Sequence, residues 1–237
     1  MRIFFNRAWT LFTQQFATFF ILAFVSQLVL TAFARLVQFL DGQSIVAIFD
    51  LIRTEPSTTL SVIQQHPWYV ALFLLSILMD MLVAIIVTYV CIHQPQSMRT
   101  TSTGVLRILP KALLVSIMTG AIIGTGMILF IVPGIIAAVF FAFASPYIIV
   151  RSNPSIANSL SESMLLGKKY FFNIASILIL LNVGVYILNV LWGSITESVA
   201  QYVGADVVVA LVSQLIVIYS TIVFTYFGLS LLEKQES

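Results

Sequence analysis

The sequence is poor in charge. Only 8% of its 237 residues are Asp, Glu, Lys or Arg, against about 25% in an ordinary soluble domain. So few charges cannot cover a globule that is 60% hydrophobic. This excludes a free-standing soluble enzyme, a disordered tail and a nucleic-acid binder. There is one cysteine, Cys91, which excludes an intramolecular disulfide and any Cys-based metal cluster. The seven prolines and eleven glycines are scattered and form no long linker. Zinc-ligand spacings, a phosphate-cradling Gly-rich loop and GxSxG are all missing. Nothing in the chain calls for a cofactor.

What the chain does have is long apolar runs. A helix needs about 20 apolar residues to cross the hydrocarbon of a bilayer. Charge-free intervals place such helices at about 16–34, 68–92, 171–192 and 207–232. The interval 112–150 is charge-free over 39 residues. As one helix it would be about 58 Å long at 1.5 Å per residue, nearly twice the hydrocarbon thickness. Pro133 and Gly134 fall near its middle, so two spans, 112–131 and 135–150, joined by a turn there fit better. The expected fold is all-α: a polytopic transmembrane bundle of six spans forming a single membrane domain.

Basic residues orient it. With the N-terminus in the cytoplasm, Arg2, Arg7, Arg99, Arg107, Lys111, Arg151, Lys168, Lys169 and Lys234 lie inside, nine of the eleven. Arg35 and Arg53 lie outside. A five-span chain would put Arg151, Lys168 and Lys169 outside, against the positive-inside rule. Both termini are therefore expected in the cytoplasm. Arg2 and Arg7 before an apolar stretch resemble a signal peptide, but the stretch exceeds the usual 7–15 residues of a signal core, so an uncleaved anchor is expected.

Between the spans lie an external loop, 35–67, and two cytoplasmic loops, 93–111 and 151–170. The segment 45–52 is apolar enough to be a surface helix or a lid. In the second cytoplasmic loop, Asn153 can cap an interfacial helix that Pro154 begins. Ile156, Ala157, Leu160 and Met164 then share one apolar stripe, with Ser159, Glu162 and Ser163 opposite. Loop 93–111 carries Arg99, Arg107 and Lys111, fewer than the four to eight cations expected of an anionic-lipid site.

The string Leu129-Phe130-Ile131-Val132-Pro133-Gly134-Ile135-Ile136 continues through Phe141 to Val150, with Ser145-Pro146-Tyr147. It is followed by Ser155-Ile156-Ala157-Asn158-Ser159-Leu160, then Ser163 and Lys168-Lys169-Tyr170. This stretch resembles the YciC family of uncharacterised multi-pass inner-membrane proteins of Gram-negative bacteria. It also looks like the membrane domain attached to some glycerophosphodiester phosphodiesterases. The resemblance implies a bacterial inner membrane and a break at Pro133-Gly134. It brings no activity and no functional residues.

A few polar groups interrupt the spans. Asp80 is the one charge inside a span, at a cost of roughly 2.5–3.5 kcal/mol on the insertion scale. Ser76, Asp80, Ala84 and Thr88 recur at i+4, so span two carries one polar, small-residue stripe. Asn182, Tyr186 and Asn189 form another on span five, and Ser213 and Gln214 lie in span six. Asn182, Asn189 or a backbone carbonyl is the expected partner of Asp80. These groups either glue helices together or border a solute path. Gly120 and Gly124 form a GxxxG pair for close helix packing, in the bundle or between two copies. His66 and His93 fall at opposite faces and cannot share a metal.

The expected partners are the lipid bilayer and a membrane protein or second copy of this chain, not nucleic acid. The reading favoured by the sequence is a non-enzymatic envelope structural or interaction module. The alternative is a small transporter using Asp80. Lipid chemistry is a third, with no catalytic domain to support it. Stripes facing each other around a cavity favour transport; stripes packed dry favour a scaffold.

Overall fold

A computed structural model describes residues 2–42, 61, 64–94, 98–151, 155–197 and 205–236. Among these residues the protein is all-α. In chain order the helices are α1 (Arg2–Gln14), α2 (Phe16–Asp41), α3 (Pro67–His93), α4 (Met98–Leu129), α5 (Ile131–Phe141), α6 (Ala144–Val150), α7 (Ile156–Lys169), α8 (Phe171–Glu197) and α9 (Ala205–Glu236). Six stretches are long and apolar enough to cross a membrane: Phe16–Asp41, Pro67–His93, Thr101–Leu129, Ile131–Val150, Phe171–Leu191 and Val207–Lys234. The protein is a multi-pass helical membrane protein. The segment 45–52, Asn153 and Pro154 lie outside the described residues.

The helices overrun the expected span ends. Helix α2 continues through Arg35 to Asp41 and stops where Gly42 turns left-handed, φ 72°, a conformation that glycine adopts without a Cβ penalty. The loop between spans one and two therefore starts later than residue 35. At the other end of that loop, His66 Nδ1 pairs with Asp41 Oδ2 at 2.7 Å, tying the facing ends of α2 and α3. Most of 93–111 is likewise helix, because α4 begins at Met98 and carries Pro110 inside it.

Three apolar clusters hold the bundle. Phe19 and Ala23 of α2 meet Val83 and Val87 of α3 and Ile218 and Ile222 of α9. Ile85 of α3 meets Ala112 and Val115 of α4, and Ala144 and Ile148 of α6. Val139 and Phe143 meet Leu166 of α7, Ile174 of α8 and Leu231 of α9. Phe143 stacks on Phe224 with ring centroids 4.8 Å apart. The outward faces are apolar too: Phe20, Phe24 and Leu28 on α2, Phe73 and Leu74 on α3, Ile179 and Val183 on α8. Such faces meet lipid.

Span four is kinked by a local break in its helix, although Ala142 keeps α-helical dihedrals, φ −54° and ψ −33°. Its two halves, α5 and α6, are separated at Ala142–Phe143. Pro146 explains the place: it has no N–H for the carbonyl of Ala142, four residues earlier, and its ring crowds that carbonyl. The turn between spans three and four also differs from the expected one. Phe130 alone is extended, φ −158° and ψ 133°. Pro133 and Gly134 fall in the first turn of α5, where a missing N–H costs nothing.

Helix α7 corrects the expected interfacial helix. Its cap is Ser155, whose hydroxyl accepts from the Asn158 N–H at 3.1 Å. Its buried face is Ser159, Ser163, Leu166 and Gly167, while Ala157 and Leu165 are exposed. Small residues turn inward because α7 lies tightly against α5 and α6. A Cβ on Gly167 would stand 2.6 Å from the Phe140 Cα. Ile156 and Leu160 of the expected apolar stripe do pack against the α3–α4–α6 cluster, and close backbone approach buries the small residues beside them.

Candidate functional site

A cavity of about 310 Å³ opens beside the break in span four. Ser145 and Pro146 border it on α6, Thr88 on α3, Ser116 on α4, Asn182 on α8, and Thr221 on α9. Five membrane-spanning stretches thus contribute. The polar stripe of span two reaches it through Ala84 and Thr88, and that of span five through Asn182.

Four of the polar side chains here use a donor within their own helix. Asn182 Nδ2 donates to the Leu178 carbonyl at 2.8 Å. Ser220 and Thr221 donate to the Val217 carbonyl at 2.8 and 2.9 Å. Thr225 donates to the Thr221 carbonyl at 2.8 Å. A hydroxyl that donates to its own helix keeps lone pairs to offer, and the Asn182 amide oxygen is an acceptor as well. Among the described residues the lining contains no charged side chain. The wall therefore presents hydroxyl and amide groups, which suits a small polar, uncharged solute.

The break is stabilised from outside the span. Ser163 of α7 donates its hydroxyl to the Phe140 carbonyl at 2.8 Å. The same oxygen accepts from the Phe143 N–H at 3.1 Å. One fully buried side chain thus satisfies a carbonyl and an N–H at the interruption, where hydrocarbon offers no substitute. Reading Ser163 as solvent-facing concealed this role. A proline four residues beyond a mid-span carbonyl, with a small-residue helix next in the chain, was the available signal.

Asp80 does not border the cavity, although Met81 next to it does. Its side-chain partner is Gln214 of α9, in place of the expected Asn182 or Asn189. Gln214 also accepts from Gln27 Nε2 of α2 at 3.2 Å. The Gln27–Gln214 bond joins spans one and six, and Asp80 of span two faces Gln214. Gln27 went unweighted in the sequence, yet it is the one amide in the 16–34 span. Asn189 Nδ2 donates to the Val185 carbonyl of its own helix at 3.0 Å and does not line the cavity. Neither asparagine is seen bridging to another helix.

The glycines separate into two kinds. A Cβ on Gly120 would meet only Met81 Cε at 3.7 Å, and one on Gly124 would meet nothing within 4 Å. The close approach lies further along α4: a Cβ on Gly126 would stand 2.9 Å from the Gly134 Cα. Gly134 serves this contact between the arms of the hairpin. Among the described residues no group of three or more His, Cys, Asp or Glu side chains could hold a metal.

Compared with protein-family models, with curated proteins and with solved structures, the chain matches none.

Proposed function

We propose that this protein is a non-enzymatic multi-pass protein of a bacterial inner membrane, with both termini in the cytoplasm, that binds and conducts a small, uncharged, polar solute. The cavity beside broken span four carries this reading. A cavity of about 310 Å³ is within the size range of small-molecule sites. The distribution of basic residues supports the orientation. The resemblance of 129–170 to the YciC family supports the bacterial inner membrane.

The scaffold reading needs the polar stripes of spans two and five to be packed dry between helices. Thr88 and Asn182 instead border one cavity, which favours conduction. The route differs from one built on Asp80, because Asp80 stands outside the cavity and pairs with Gln214.

Osmotic swelling of proteoliposomes tests the proposal. Glycerol and urea should enter vesicles holding the full chain faster than empty vesicles. Asn182→Leu with Thr221→Val should bring the rate down toward the empty-vesicle level. Rates equal to empty vesicles for every such solute would remove the conduction reading.

A further inference from the structure

A second cavity, of about 370 Å³, opens where α3, the first half of α4 and α6 end together. It gathers His93, Arg107, Lys111 and Arg151. These residues come from the end of α3, from two turns of α4, and from the residue that closes α6. Among the described residues no carboxylate lines it. The inner wall is apolar, with Ile108, Ile148 and Ile149.

We propose that this cavity binds the phosphate headgroup of an anionic phospholipid, a site independent of the solute cavity. Two guanidinium groups on different elements can grip a phosphate from two sides, each with paired N–H donors. Lys111 adds a point charge. The Arg151 guanidinium is held over the Tyr147 ring, 6.0 Å from its centroid. His93 is stacked on Tyr89 at 4.3 Å between centroids. Tyr89 in turn lies against Gly104, where a Cβ would collide with its hydroxyl. The cationic rim is thus positioned by packing around the cavity.

Two observations favour a lipid over a soluble phosphate. The cations stand at the ends of membrane-spanning helices, on the face that the proposed orientation puts in the cytoplasm. Leu114, one turn from Lys111 on the same side of α4, is exposed. An acyl chain leaving the headgroup site would find that apolar surface rather than water. Basic pockets between spans at the cytoplasmic face are suited to acidic headgroups.

The test uses the full chain reconstituted in equimolar phosphatidylcholine and phosphatidylglycerol, then released and weighed by native mass spectrometry. The native protein should retain phosphatidylglycerol in preference to phosphatidylcholine. Arg107→Gln with Arg151→Gln should cut that retention roughly tenfold or more, at about 1 kcal/mol per cation. Arg35→Gln, at the far end of the bundle, should leave it unchanged. Arg107→Lys with Arg151→Lys keeps the charge and guards against misfolding; it should retain more lipid than the glutamine pair and less than the native protein. Excess inorganic phosphate should not displace the lipid. Equal retention of the two lipids by the native protein would overturn the proposal, as would undiminished retention by the glutamine pair. Complete displacement by inorganic phosphate would overturn the lipid assignment and point to a soluble anion.

Discussion

The hydroxyl of Ser163 donates to the carbonyl of Phe140 across 2.8 Å, linking helix α7 to the span that precedes it. The break in span four depends on this contact and on its counterpart from the Phe143 N–H to the same oxygen.

Ser163→Ala should therefore lower stability. It leaves a buried carbonyl and a buried N–H without their partner, at a cost of about 1–3 kcal/mol. Thermal unfolding of the purified protein in detergent should show a clear drop in melting temperature. Ser161→Ala, on the exposed side of the same helix, should leave the melting temperature where it was. Equal melting temperatures for native protein and Ser163→Ala would show that the break is stable without the latch.

Two glycines should respond in opposite directions. At Gly167 a methyl group would press on Phe140 backbone, 2.6 Å away, which cannot rotate aside. Gly167→Ala should cost about 1–3 kcal/mol by overpacking. At Gly124 the same methyl meets nothing within 4 Å, so Gly124→Ala should gain about 0.5–1 kcal/mol from backbone entropy. Melting temperatures of the two variants, measured side by side, check the sign of each.

Asp80 and Gln214 make a third comparison. Asp80→Asn keeps a polar side chain of the same shape facing Gln214, so folding should survive. Because Asp80 stands outside the solute cavity, flux should survive as well. Gln214→Leu removes the link that joins Gln27 to Asp80 and should lower stability by about 1 kcal/mol, the scale of interhelical hydrogen bonds in membranes. Loss of flux in a normally inserted Asp80→Asn protein would return the conduction route to Asp80.

The spans and the hairpin were legible because a bilayer demands long uncharged helices and leaves no other solution. The charge-free run 112–150 even required a turn near its middle, and the chain turns at Phe130, three residues before Pro133. The break at Ala142 is encoded by Pro146, yet two prolines in one run compete for attention and only packing shows which of them interrupts a span. The facing of α7 was partly misread, for a physical reason. Ile156 and Leu160 of the apolar stripe pack on the bundle as expected, but α7 also buries Ser159, Ser163 and Gly167, because backbone proximity to Phe140 is what that site needs. The cluster of His93, Arg107, Lys111 and Arg151 was divided between loops that looked too weakly basic when counted one at a time.

Whether water reaches the cavity beside span four is the most direct test of the conduction reading. Replacing Cys91, which is buried, with alanine clears the chain of thiols. Single cysteines are then placed at Ser116 and Thr221 in the cavity wall, at Ser161 on the exposed side of α7 as a reactive control, and at Ile179 on the outward face of α8 as an unreactive one. The protein in native membranes is treated with a membrane-impermeant methanethiosulfonate reagent. The account predicts modification at Ser116 and Thr221, slower than at Ser161 and absent at Ile179. A fully reactive Ser161 position with no modification at either cavity position would contradict it.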